Sequence, residues 1–302
     1  MSIFVAAALQ MRSTRSVERN IADLLALATE AVERGATYLQ SPEISNLCER
    51  NRDELLAKLR PEAEDAMLAA IRAFARTRKV HFHLGSLALR NGDKLANRGF
   101  LIAPDGEIVA RYDKIHLFDV DLPNGESWRE SASYSGGSEA VVAPMAGATL
   151  GGALLGGAIL GEVILGMSIC YDLRFAYLYR ALAQAGADIL AAPACFTRQT
   201  GEAHWSVLQR ARAIENGSFM ISAAQGGKHE DGRESYGHSI IVDPWGRVLA
   251  EAGNEPGVVL AEIDLALVAD ARSRIPALRH TRPITVVRQG FSAEDAATRA
   301  AE

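Results

Sequence analysis

The chain has 302 residues, 48% of them hydrophobic and 23% charged, with a formal net charge of −5. That is long enough to bury a sizeable core, and the acidic balance argues against a nucleic-acid backbone or an anionic membrane surface as partner. Cys48, Cys170 and Cys195 show neither CxxC nor Cys/His metal spacing, which fits free thiols in a reducing, cytoplasmic compartment.

The opening MSIFVAAALQMR lacks a basic n-region and reads as a first strand over residues 3–8 rather than a leader. Residues 17–34 carry Ile21, Leu24, Leu25, Ala28 and Val32 at helical spacing, and Gly35 stops the helix. A second strand over 38–41 ends at Pro42-Glu43, an amphipathic helix covers 62–78, and HFHLGSLAL forms a strand over 81–89. Strands 98–103 and 107–112 flank the turn Pro104-Asp105-Gly106. A strand over 163–169 runs into Cys170, and helix 175–185, strand 188–192, helix 203–215 and strand 218–224 follow in alternation. Strands 237–242 and 247–251 flank a further turn, Asp243-Pro244-Trp245-Gly246. No linker divides the chain, so residues 1–281 read as one domain with helices outside and sheets inside. Residues 282–302 form a tail that is either frayed or packed on another subunit.

Residues 140–161 contain no charge over 22 positions, which is long enough to pose as a membrane span of about 20 residues. Six glycines, six alanines and the tandem LGGAL-LGGAI make it a poor one. A Gly-Gly pair between apolar residues is instead a hairpin signal, so an extended arm around 148–161 is expected, over the pocket mouth or against another subunit.

Three residues carry chemistry. A lone cysteine in an apolar strand is usually a small buried hydrophobe. Cys170, however, ends the strand VILGMSIC and precedes a helix, a junction where α/β proteins collect their sites and where backbone N–H groups and the helix dipole favour anions. Glu43, just past Pro42 at a strand end, is either a solvated turn residue or an acid–base group. Lys114, in RYDKIHLFD, would by itself pass for a surface lysine.

Taken together, Pro42-Glu43, Tyr112-Asp113-Lys114-Ile115-His116 and Cys170-Tyr171-Asp172-Leu173-Arg174-Phe175 resemble the marks of the nitrilase (carbon–nitrogen hydrolase) superfamily, in that family's order. The likeness runs from GATYLQSPE to SYGHSIIVDPWGRVLAEAG, and ALAQAGADIL and HWSVLQRARAIE look like the Nit branch. It implies a four-layer α-β-β-α sandwich, a homo-oligomer, no cofactor and no metal, and hydrolysis of a small carboxylate-bearing amide to acid and ammonia through a cysteine thioester. The amide of deaminated glutathione is the foremost substrate so implied; 2-oxoglutaramate, N-carbamoyl compounds and nitriles would use the same residues. The catalytic roles fall to Glu43, Lys114 and Cys170, with a second glutamate matching Glu130 in WRES better than Glu126 in NGES.

Thiolate supplies the nucleophile, Glu43 moves protons, and Lys114 with the Tyr171 N–H would hold the oxyanion. Arg174 pairs with Asp172, meets another subunit or, as a bidentate clamp, holds a substrate carboxylate. The segment CFTRQTGEAHW should form another pocket wall, with Cys195 and Thr197 against substrate and Arg198 a second clamp. His81 and His83 alternate on one face without a third ligand, which makes them polar supporting residues rather than a metal site, and His238 reads as structural. The rival from another class is a membrane N-acyltransferase sharing this domain type, against which stands the lack of spans outside it.

Overall fold

The computed structural model describes residues 3–123, 125–145 and 163–287. Strand β1 (Ile3–Gln10) leads into α1 (Val17–Glu33), whose N-cap Ser16 side chain accepts from Arg19 N. After β2 (Tyr38–Gln40) come a short α2 (Arg52–Lys58) and α3 (Ala66–Arg78). The expected helix over 62–78 is divided because Asp65 caps α3 by accepting from Leu68 N, leaving 62–64 as a separate turn. Strands β3 (His81–Asn91), β4 (Lys94–Ile102) and β5 (Ile108–Asp113) form a meander. Its first hairpin turns at Gly92, with φ of 62°, a connection that lengthens both strands beyond their expected ends.

A small hairpin, β6 (Asp119–Asp121) and β7 (Ser127–Arg129), precedes β8 (Val141–Pro144) and β9 (Ile164–Met167). Then α4 (Ala176–Gln184), β10 (Ile189–Ala191), α5 (Arg198–Asn216) and β11 (Phe219–Ser222) alternate. Helix α5 starts five residues ahead of expectation because Thr197 caps it, accepting from Thr200 N. Strands β12 (Gly226–Lys228) and β13 (Glu234–Tyr236) make a second small hairpin. The remaining elements are β14 (Ile240–Val242), β15 (Val248–Glu251), β16 (Gly257–Asp264) and α6 (Ala266–Arg274).

Two six-stranded sheets share one plan, β16-β1-β2-β3-β4-β5 and β8-β9-β10-β11-β14-β15. In each, three parallel strands sit between an antiparallel edge strand and an antiparallel pair. Alternation along β1 divides the cores. Phe4, Ala6 and Ala8 join Leu165 and Met167 between the sheets, while Ala7 and Leu9 join Leu24, Ala28, Met67 and Ile71 of α1 and α3. Helices α4 and α5 cover the second sheet through Leu178, Leu182 and Trp205, completing the α-β-β-α sandwich.

Polar side chains stitch the sheets together. Gln40 Oε1 accepts from Ala223 N at 2.7 Å, and Gln10 Oε1 accepts from Ser239 N at 2.9 Å. His83 Nδ1 meets Tyr38 Oη and Gln40 Nε2, and burial lowers its pKa to about 3. His83 therefore supports Gln40, its neighbour across the β2–β3 pairing. His238 Nδ1 lies 3.2 Å from Glu251 Oε1, and its ring stacks on Tyr236.

The arm expected around 148–161 lies outside the described residues. Its anchors do not: Met145 N donates to Val163 O at 2.8 Å, and Pro144 pairs with Ile164. These anchors close the N-terminal end of β9, the end remote from Cys170. Among the described residues, no helix is long and apolar enough to cross a membrane.

At Gly85 in β3 only hydrogen fits. A Cβ on Gly85 would stand 2.0 Å from Ser41 O, 2.5 Å from Pro193 Cβ and 2.7 Å from Pro42 O. Gly85→Ala must displace the Ser41–Pro42 backbone and the Pro193 ring, so thermal unfolding should show a Tm several degrees lower, from a loss of about 1–3 kcal/mol. An unchanged Tm would show that this approach is not a packing constraint.

Candidate active site

Five strand ends and their following turns supply the site. Glu43 follows β2, Lys114 follows β5, Glu130 follows β7, Cys170 follows β9 and Cys195 follows β10. Strands that are far apart in sequence thus deliver their first irregular residues to one place, as parallel sheets do at their C-terminal edges.

At the centre lies Lys114. Its Nζ donates to Glu43 Oε1 at 2.9 Å and to Glu130 Oε2 at 2.8 Å, and its side chain is 2% exposed. Burial pushes the ammonium's pKa down, but the Glu130 and Glu43 carboxylates raise it well above the usual lysine value. Asn97 Nδ2 bridges the two acids, donating to Glu43 Oε1 at 2.9 Å and Glu130 Oε1 at 3.2 Å. Glu130 Oε2 also accepts from Phe118 N, and Glu43 Oε2 accepts from Cys195 N at 2.9 Å. Glu126 lies elsewhere, accepting from Trp128 Nε1.

Cys170 adopts φ of 50°, in the left-handed region that a side chain rarely occupies, and its N–H donates to Pro193 O at 2.9 Å. Its thiol faces Glu43. Burial first, then the Glu43 charge, raise the thiol pKa well above the ordinary value, with Lys114 and the Cys195 N–H pulling the other way. The Cys170 thiol thus lies within reach of both the Glu43 carboxylate and the Lys114 ammonium.

Asp172 braces this arrangement. Completely buried, it accepts from Tyr112 Oη at 2.7 Å, Ile169 N at 2.8 Å, and both His116 N and the His116 ring at Nδ1. Tyr112 and His116 stand on either side of Lys114, so one carboxylate ties the lysine's loop to the cysteine's turn. Arg174 does not pair with Asp172, whose oxygens are taken up this way. Its guanidinium meets His204 Nδ1 at 3.2 Å and lies over Phe196.

A cavity of about 250 Å³ opens on these groups. Of the residues expected on its walls, Tyr171, Arg174, Cys195 and Thr197 line it. Tyr171 packs edge-on against Phe118 and Phe175, and Cys195 Sγ lies 3.2 Å from Ser235 Oγ. Arg198 is not on the wall. Because Thr197 caps α5, the next residue turns outward, and Arg198 pairs with Glu234 at 2.8 Å. Sequence reasoning missed Asn97, Asp172, Trp128 and Arg233. Asp172 stood within a quoted motif, but neither Asn97 in ANRGF nor Arg233 in an exposed-looking turn carries a local signal.

Residues 5–273 match the family described as carbon-nitrogen hydrolase. The chain is 38% identical over 287 residues to a deaminated glutathione amidase of Synechocystis sp., covering 93% of this chain and 98% of that one. It is 37% identical to the Homo sapiens deaminated glutathione amidase, covering 91% of this chain and 81% of that one. The crystal structure of the C. elegans NitFhit protein superposes with a TM-score of 0.81 at 32% identity, over 93% of this chain and 66% of that longer one. The chain belongs to the carbon–nitrogen hydrolase family.

The charges around Cys170 make a signed prediction. Glu43→Gln removes a charge that raises the thiol pKa, so alkylation of Cys170 by iodoacetamide, followed by mass spectrometry, should begin at lower pH than in the wild type. Lys114→Met should move the onset the other way. Identical profiles in all three proteins would show that neither group faces the thiol in solution.

Proposed function

We propose that this carbon–nitrogen hydrolase cleaves a small carboxylate-bearing amide through a thioester on Cys170, with the amide of deaminated glutathione as its substrate. The observation that carries this is the buried Lys114 ammonium, shared by Glu43 and Glu130 directly beside the Cys170 thiol. The substrate follows from the relatives' names together with Arg174, a cavity-lining guanidinium positioned for a carboxylate on the acyl half.

Glu43 takes the thiol proton as Sγ attacks the carbonyl carbon. The oxyanion that forms is held by the Lys114 ammonium and the Tyr171 N–H; one such donor lowers the barrier by about 3–4 kcal/mol. Glu43 then passes the proton to the amide nitrogen, and the C–N bond breaks to leave the thioester. Water, deprotonated by Glu43, attacks the thioester; the C–S bond breaks and the thiolate recovers the proton. Glu130, and not Glu126, keeps Lys114 charged and aimed, and Asn97 bridges the two carboxylates.

From a primary amide such as 2-oxoglutaramate the leaving group is ammonia. Deaminated glutathione presents a secondary amide, so its leaving group is the amine of a cysteine dipeptide, which corrects the expectation of ammonia for that substrate.

A cytoplasmic homo-oligomer fits the same function. Val207 and Ile214 on α5 are exposed, an apolar face that a second copy would cover, and light scattering tests it. The segment from residue 282 is a candidate for the same contact, with Ile284 and Val286 exposed.

Purified protein should release 2-oxoglutarate from deaminated glutathione faster than from 2-oxoglutaramate, read by a coupled dehydrogenase assay. Cys170→Ala should abolish both activities with an unchanged circular dichroism spectrum. Turnover by Cys170→Ala, or no turnover of either compound by the wild type, would overturn this function.

A further inference from the structure

The cavity carries more positive charge than the chemistry uses. Arg50, in the loop that follows Glu43, and Arg52 at the start of α2 both line it, and no carboxylate among the described residues lies within ion-pair distance of either. The Arg50 guanidinium sits over the Trp128 ring, 4.9 Å from its centroid. Arg233 reaches the same ring from the β12–β13 turn, 5.7 Å from the centroid, and is fixed there by Asp231 Oδ2 at 2.7 Å. Asp231 is one acid for a ring that gathers two guanidinium groups. Two guanidinium groups gathered at one ring repel each other, and an anion bound beside them offsets that repulsion.

We propose that Arg50, Arg233 and Trp128 form an anion subsite that takes a terminal carboxylate on the amine half of the substrate. Three features assign it to that half. The acyl half is bound covalently to Cys170, and Arg174 belongs to the same turn, Cys170–Arg174, so an acyl-side carboxylate falls to Arg174. Arg50 continues the chain from Glu43, the residue that hands a proton to the departing nitrogen, and the β12–β13 hairpin bearing Arg233 also supplies Ser235 against Cys195. Arg50 is exposed while Glu43 and Lys114 are buried, so the group it holds lies at the mouth, where the first product must leave. The substrate class is then an amide whose nitrogen carries an amino acid or dipeptide with a free carboxyl end. This deepens the amidase function proposed above and rests on it.

Calorimetry on Cys170→Ala protein separates the two ideas, because it reads the subsite without turnover. The probes are deaminated glutathione and its analogue with the terminal carboxylate replaced by a carboxamide. The acid should bind at least ten-fold more tightly than the carboxamide, and adding Arg50→Ala should remove most of that preference. Arg233→Lys, which keeps the charge and the Asp231 contact, should reduce it less. Equal binding of both compounds, binding of neither, or a preference untouched by Arg50→Ala overturns the subsite. So does a preference that vanishes with Arg174→Ala instead of Arg50→Ala. Failure of the amidase function itself would appear separately, as absent turnover by the wild type.

Discussion

One buried ammonium organises this protein. Taking Lys114 out of water is costly unless it is paired and hydrogen-bonded, and Glu43 and Glu130 meet that requirement from two different strand ends. Their carboxylates need partners in turn, which Asn97, Phe118 N and Cys195 N provide. No member can be removed without leaving a buried polar group unsatisfied. The same constraint holds the lysine's charge in place, since the two carboxylates raise its pKa well above the usual value. In the mechanism proposed above, an oxyanion on Cys170 would meet a fixed positive charge that needs no solvent rearrangement.

The backbone is arranged to keep this cluster rigid. Cys170 and Ile44, the residue after Glu43, both occupy the left-handed region, at φ of 50° and 46°. Such conformations cost about 1–3 kcal/mol each and persist only when surrounding bonds overdetermine them. Those bonds are visible: Ile44 N donates to Ser86 Oγ, Cys170 N to Pro193 O, and Asp172 gathers the cysteine's turn and both flanks of Lys114. Asp172 touches none of the reacting atoms proposed above, yet it ties the Cys170 turn to the loop that carries Lys114.

What could be read in the sequence was what is local. The alternation of β1, the Pro42-Glu43 strand end and the Cys170 elbow are each written in a few consecutive residues, and the shared motif order gave the fold. Hydrophobic periodicity marks the buried face of α5 and so points to a late start, whereas the helix begins where the Thr197 side chain caps it. Asn97 and Arg233 were illegible for another reason. Asn97 matters because the β4–β5 register sets it beside Lys114, whose N–H it accepts through its own carbonyl, and registers across sheets leave no mark on neighbouring residues. Arg198 misled because proximity in sequence to a wall residue is not proximity in space once a helix begins.

A division of labour follows from where each group is mounted. Glu43, Lys114 and Cys170 stand just beyond strands of the two large sheets, which hold them in place through packed cores on both faces. Arg50, Trp128 and Arg233 stand on a loop and two small hairpins outside those sheets. In the proposed mechanism Glu43, Lys114 and Cys170 would act in the same way on any acyl carbon presented to them, whatever group departs from it. Selection among amides must then come from contacts to the two halves of the molecule, not from the cluster that opens it. Changing the charge on the peripheral elements would alter which amine half is accepted while leaving the buried ammonium and its carboxylates as they are.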